Sequence, residues 1–249
     1  LEIEHNHVDN ANLDKVDKVI DKKEFYPKNT DYIDFNQYKD KGGYVLFNKV
    51  KSNEVTFEQL SNVISHSNLR GLGGAGFPAA KKWEFVMANN GPRMMCINGD
   101  EGEVGTFKDK YYLDLDPHRF LEGTLIAAHM VSADKCFIYM RDEYPGIIKI
   151  LRKELVKLVN NGLIDEDLVE IRRGAGAYIC GEESALIESV EGKRGIPRHR
   201  PPYVAQNGVF GLPTLVHNVE TVYWIREIYE KGAEWFLSFG KNGRKGLRS

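Results

Sequence analysis

Apolar residues recur at helical spacing in "TFEQLSNVISHSNLR", where Phe57, Leu60, Val63 and Ile64 are separated by polar positions. That periodicity predicts an amphipathic helix over about 56–67. Downstream, "RMMCIN", "KCFIYM" and "LVEIRR" are short apolar runs of the kind that form buried strands. Between them lie two helical patterns. "DPHRFLEGTLIAAHMVSA" opens on Asp116 as N-cap with Pro117 at the first helical position. "EYPGIIKILRKELVKLVNNG" places Ile147, Ile148, Leu151, Leu155 and Leu158 near one face and Gly162 past its end. A further helix carries "SALIESV", and the last periodic segment is "NVETVYWIREIYEKG". Strand and helix alternate through the middle of the chain, which predicts an α/β layer structure.

The flanks read differently. Residues 1–40 are rich in Asp, Lys and Asn with little periodicity, which predicts a polar linker or arm. Apolar density rises from "GGYVLFNKV", so the ordered domain is expected over 41–240, with 241–249 as a truncated or disordered tail. The missing initiating Met and the ending "GKNGRKGLRS" imply a piece of a longer polypeptide.

Between the first helix and "KKWEFV" lies "RGLGGAGFPAAKKW", in which Gly71, Gly73 and Gly76 have the spacing of a dinucleotide fingerprint. Such a fingerprint carries meaning only between a strand and a helix. Here the lead-in is helical, and no acidic residue closes a second strand about twenty residues on. A standard Rossmann turn is therefore excluded. What remains is another nucleotide cradle, with Lys81 and Lys82 beside the glycines and Phe77, Trp83 and Phe85 offering aromatic faces, or a solvated loop whose aromatics turn inward.

Charge and cysteines narrow the classes. With 34 basic and 36 acidic side chains the net charge is -2, so no global field favours nucleic acid or an anionic membrane. No apolar run approaches the roughly eighteen residues of a membrane span, and "LEIEHNHVDN" is too polar for a signal peptide. Cys96, Cys136 and Cys180 are far apart and sit in apolar runs, which fits buried core residues in a reducing cytoplasm and excludes a four-cysteine metal or cluster site in this stretch.

Two more loops combine glycine with acidic or amide groups. "CINGDEGEVGTFKDK" presents Asn98, Asp100, Glu101 and Glu103 after a strand, suited to a ribose or polyol; it has no histidine and no calcium-loop spacing, so no metal site is expected. "RRGAGAYICGEES" adds Tyr178, Glu182 and Glu183 at a helix N-terminus, where the carboxylates either meet a ligand or only cap the helix. His118 and His129 are too far apart for a ligand pair, and Ser184 lacks a nucleophile elbow.

Taken together, the three loops and "LVHNVET" resemble a family of NADH-oxidising flavoproteins: the complex I flavoprotein subunit and the diaphorase subunits of NAD-linked hydrogenases and formate dehydrogenases. The resemblance covers roughly residues 65–230. "DPHRFLEG", "MRDEYP", "PRHRPPYVAQ" and "LVHNVETVYW" look most like the flavoprotein (beta) subunit of soluble NAD-dependent formate dehydrogenase. The resemblance implies an α/β, Rossmann-like but non-standard FMN/NADH-binding domain with Gly-rich cofactor loops, preceded by the polar arm.

Its implied site is specific. Gly71, Gly73, Gly74, Gly76 and Lys82 would meet FMN; Phe77 and Phe85 would flank the adenine, joined by Tyr203. Asn98 and Asp100 would hold the flavin's ribityl and ring edge, and Glu103, the candidate catalytic residue, would lie near the nicotinamide. Tyr178, Gly181, Glu182 and Glu183 form the second cofactor loop, and His217, Asn218 and Thr221 the phosphate end. Leu72 stands where many members have Arg, Gly102 where Ser is common, and His217 where the complex I type has Asn. The implied function is a diaphorase: hydride passes between NAD(H) and FMN, and electrons leave to iron–sulfur subunits of a larger redox complex. A [4Fe–4S] cluster is expected only in the C-terminal part of a full-length member. The alternatives are a non-catalytic nucleotide-binding or assembly module and, on Asp100 and Glu103 alone, a sugar-processing enzyme. No nucleic-acid partner and no membrane insertion are expected.

Overall fold

The computed structural model describes residues 1–4, 6–26 and 31–247. Two short strands, β1 (Glu2–Ile3) and β2 (Asn6–His7), pair antiparallel, and helix α1 (Leu13–Asp21) follows, capped by the Asn12 side chain. Then come α2 (Phe35–Asp40), α3 (Val45–Lys51), α4 (Phe57–His66) and α5 (Ala79–Met87). The expected helix at about 56–67 is α4, which starts on a Thr56–Gln59 capping box and buries Leu60 and Ile64 completely.

The central sheet has four parallel strands: β3 (Arg93–Gly99), β4 (Ala133–Met140), β5 (Val169–Arg173) and β6 (Thr214–Asn218). Their order is β5-β4-β3-β6, so the chain builds outward from β3 on one side and then returns to its other flank. α6 (Lys108–Leu115) and α7 (Pro117–Met130) connect β3 to β4, and α8 (Pro145–Asn160) connects β4 to β5. A 3-10 turn (Tyr178–Gly181), α9 (Glu183–Val190) and a long proline-rich segment with a second 3-10 turn (Val209–Gly211) lead to β6. After β6 follow α10 (Val219–Tyr223), α11 (Ile225–Lys231), α12 (Ala233–Leu237) and the hairpin β7 (Gly240–Lys241) with β8 (Arg244–Lys245).

Alternation along the strands assigns their faces. Met95, Ile97, Ile138, Met140 and Leu215 join the large core beneath α7, whereas Cys96, Phe137, Tyr139 and Val216 join a second cluster under α9. Covered on both faces, the sheet needs apolar residues on both, which is why its strands read as continuous apolar runs. Helix α7 is buried almost all round, and at Gly123 a Cβ would meet the Val222 carbonyl oxygen at 1.9 Å. Only glycine lets α7 and α10 cross this closely.

Two expectations change. Composition places residues 35–40 in the polar arm, but α2 buries Phe35 and Tyr38 in the large core. Tyr38 donates to Glu122 (2.7 Å) and Tyr44 bonds His118 (2.7 Å), whose other nitrogen meets Glu154 (2.8 Å). These buried bonds tie the segment to α7 and α8, so the packed unit begins before residue 41. Residues 5 and 27–30 of the arm, and 248–249 of the tail, lie outside the described residues. Second, the periodic run "NVETVYWIREIYEKG" is not one helix: its Asn218 ends β6, a strand the apolar runs did not predict, and the helical part divides at Trp224 into α10 and α11. All three cysteines are buried. Among the described residues, no helix is long and apolar enough to cross a membrane.

Candidate functional site

The strand order reverses between β3 and β6, and in open parallel sheets the crevice beyond the carboxyl ends at such a point is where ligands sit. Asn98, next to last in β3, and Asn218, the last residue of β6, are register partners there. Every glycine-rich loop singled out in the sequence converges here.

The first loop connects α4 to α5, helix to helix, and folds back through an Arg70–Pro78 bridge. Gly71 N–H donates to the Phe77 carbonyl (2.8 Å), and Gly74 and Gly76 have positive φ of 117° and 65°. Leu72 N–H donates to Thr221 Oγ1 at 2.9 Å. A Cβ on Gly73 would lie 3.1 Å from Asn218 Cβ, so the loop backbone rests on that side chain. Lys82 reaches the Val216 carbonyl (3.1 Å) and Glu183 (3.6 Å). Phe77 and Phe85 are neighbours, their rings tilted by 38° with centroids 5.9 Å apart, and are 39% and 53% exposed. Tyr203 is 57% exposed, in a turn tied to α5 by Asn89, which donates to the carbonyls of Phe85 and Ala205. Among the described residues no ring contact joins Tyr203 to the Phe pair.

The second loop leaves β3. Asn98 donates to the Gly181 carbonyl (2.8 Å) and accepts from Asp100 N–H (3.0 Å), which fastens the third loop to this one. Burial pushes Asp100 up to about 6 despite Arg141 nearby, and its Oδ2 is buried with no hydrogen-bond partner among the described residues. A buried acceptor without a donor is costly, and a ligand N–H or O–H would relieve it. Glu101 turns inward instead: it accepts from the N–H groups of Asp109 (2.9 Å) and Lys110 (3.3 Å) and from Tyr144 OH (3.1 Å). Glu103 stands exposed at the loop tip beside the fully exposed Val104.

In the third loop Tyr178 is 70% exposed and close to Gly102, where a Cβ would come within 3.3 Å of its ring. The two acids of "CGEES" separate. Glu182 is the N-cap of α9, accepting from Ser184 N–H and Ala185 N–H, both at 2.9 Å. Glu183 pairs with Lys82 and, at 3.2 Å, with Arg200.

Sequence reasoning missed Lys108 and Asp109. They reach Asn218 across more than a hundred residues, at 3.2 Å and 2.7 Å. It also missed Arg141, which donates to the Glu101 carbonyl oxygen, and Arg200, which pairs with Glu182 and Glu183. The one available signal was position, since Arg141 directly follows β4 at the ligand end of the sheet.

The profile of the Nuo51 FMN-binding domain family matches residues 64–227. A subunit of the NADH-quinone oxidoreductase of Aquifex aeolicus is 42% identical over 219 residues, covering 85% of this chain and 51% of its own. NADH dehydrogenase (ubiquinone) flavoprotein 1 of Dictyostelium discoideum is 45% identical over 193 residues, 73% of this chain and 40% of its own. The chain thus spans about half the length of the curated relatives it matches. An NAD+-reducing NiFe hydrogenase in its H2-reduced state superposes with a TM-score of 0.79 at 34% identity, over 96% of this chain and 44% of that one.

Proposed function

The chain belongs to the Nuo51 FMN-binding domain family, and from that membership we propose that it is the diaphorase module in which hydride passes between NAD(H) and FMN. One observation carries the reading. Three loops from distant parts of the chain are hydrogen-bonded and packed together at the switch point, with Gly73 against Asn218 and Asn98 bound to Gly181. The residues suit the group. The glycine loop gives close backbone approach, Lys82 supplies a cation, and the orphaned Asp100 Oδ2 awaits a donor.

When bound, FMN supplies the two-electron acceptor for hydride and the means of releasing electrons singly to iron–sulfur centres. The protein's own work is positioning. Gly71, Gly73, Gly74 and Gly76 line the cofactor's path, Lys82 offsets phosphate charge, and Asn98 and Asp100 orient polar edges. Thr221 fixes Leu72 and so the loop's rim. His217 and Asn218 form the seat beneath. Phe77 and Phe85, adjacent, tilted and half exposed, would flank a flat purine, with Tyr203 at the margin. Tyr178, Gly181 and the α9 cap Glu182 close the second wall, Glu103 would lie near the nicotinamide from the loop tip, and Glu183 would border the adenosine ribose.

The natural setting we propose is a cytoplasmic redox complex with iron–sulfur partners. The named relatives belong to NADH-quinone oxidoreductases and a hydrogenase. The motifs "DPHRFLEG" and "PRHRPPYVAQ" favour a formate-oxidising member, in which the physiological direction is reduction of NAD+. The test is the visible spectrum of the purified protein supplied with FMN. A bound flavin that bleaches on adding NADH is expected. A protein that binds no FMN overturns the reading, and one that binds FMN without bleaching is an assembly module.

A further inference from the structure

We propose that Lys108 and Asp109 are positioning residues of the cofactor site, acting through Asn218 on the glycine loop. The inference rests on the reading of this crevice as an FMN site and adds to it two residues of α6 that were not among the candidate site residues.

Asp109 lies in the first turn of α6, 2% exposed. Its Oδ2 accepts from Asn218 Nδ2 at 2.7 Å, and its Oδ1 meets Lys108 Nζ at 2.6 Å. Lys108 also reaches Asn218 Oδ1 and Glu220 Oε2, each at 3.2 Å. The Asn218 oxygen takes a second bond from Glu220 N–H at 3.0 Å. This amide has one orientation. A flip would turn its NH2 toward the Lys108 ammonium and the Glu220 N–H, and its oxygen toward the Asp109 carboxylate. Every partner opposes that change.

What Asn218 supports is the loop. The Gly73 backbone lies against its Cβ and Cγ, and one turn on, Thr221 accepts the Leu72 N–H. Leu72 and Gly73 are therefore seated on the first residues of α10, and the seat is held from below by Lys108 and Asp109. Glu101 completes the brace by accepting from the backbone of Asp109 and Lys110.

A neutral pair would hold α6 as well, because burying a carboxylate is costly unless it is paired. Here burial raises Asp109 to about 6, against the opposing pull of Lys108. The site keeps a strained charge where its product is a single orientation of a side chain under the cofactor loop. A ligand-independent role, bracing α6 alone, would not pass through Asn218, and that separates the two accounts.

The experiment measures FMN binding by fluorescence quenching, alongside thermal melting, in the full 249-residue chain. Asp109→Asn and Lys108→Met are expected to raise the FMN Kd about tenfold, while Lys108→Arg stays within about threefold; in an Asn218→Ala background, Asp109→Asn adds less than about twofold. An unchanged Kd with only a lower melting temperature overturns the proposal, as does an equal fold-change in both backgrounds. If Asp109→Asn does not fold, the two Lys108 variants decide, and equal affinities for them overturn it. A wild-type protein that binds no FMN overturns the reading of the crevice and this inference with it; binding that the variants leave untouched overturns this inference alone.

Discussion

Trp83 donates its indole N–H to Nε2 of His217 across 2.8 Å, with both side chains inside the core. That bond assigns the acceptor nitrogen, so the proton of the neutral ring resides on Nδ1. Burial, helped by the nearby Lys82 charge, pushes the His217 pKa down to about 3. The ring is thus a neutral N–H donor. Among the described residues Nδ1 has no hydrogen-bond partner.

A pH dependence follows with a definite sign. The folded pKa is depressed below the ordinary value of 6.5, so the stabilisation is fully present above about pH 6.5 and is lost as pH falls toward 3. His217→Asn removes the titrating group. Urea midpoints at about pH 7 and about pH 4 should therefore differ less for the variant than for wild type. Parallel acid losses in the two proteins would assign the sensitivity to other groups.

Gly73→Ala tests the seat of the loop from the other side. The added Cβ would lie 3.1 Å from Asn218 Cβ, so the asparagine must yield by a few tenths of an ångström or the loop must lift. FMN affinity should fall about tenfold, with the melting temperature moving by less than about 4 °C, because no buried apolar contact is lost. A variant with wild-type affinity would mean that the contact at Gly73 has no part in holding the cofactor.

How much of this was legible in the sequence depends on the range of the interactions. Helix α7 announces itself because Asp116 and Pro117 act on their immediate neighbours. The strands β3, β4 and β5 stand out as apolar runs bounded by turns. β6 is hidden: its five residues run directly into α10, and the two patterns merge. Helix α6, "KDKYYLDL", lacks a clean apolar stripe because its buried residues are Asp109 and Leu113. The loops betrayed the site through their glycines, whereas Lys108 and Asp109 meet Asn218 only after folding.

Electron delivery gives a third expectation. The three cysteines are buried, and burial raises the thiols of Cys96 and Cys136, which disfavours thiolate ligands. With FMN bound, this chain alone should pass electrons from NADH to ferricyanide yet show no iron–sulfur signal by electron paramagnetic resonance. Such a signal from the isolated chain would contradict the assignment of cluster chemistry to other parts of the complex.

The choice between NAD and NADP should rest on Glu183. Its neighbour Glu182 caps α9, so the capping role is already filled, and Glu183 instead pairs with Lys82 at 3.6 Å and Arg200 at 3.2 Å. A carboxylate at an adenosine ribose accepts from its hydroxyls and repels the roughly two negative charges of a 2′-phosphate. Removing it takes away that repulsion. Glu183→Ala should therefore narrow the preference for NADH mainly by improving NADPH, by about tenfold, equivalent to about 1.4 kcal/mol. A purely structural residue in the first turn of α9 would behave differently, lowering stability by about 0.3–1 kcal/mol through the helix dipole while leaving cofactor choice alone. The measurement is kcat/KM for both nucleotides in wild type and variant, with thermal melting beside it. An unchanged ratio with a lower Tm would assign Glu183 to the helix; a ratio that narrows because NADH worsens, with NADPH unchanged, would mean that the carboxylate binds the ribose without excluding the phosphate.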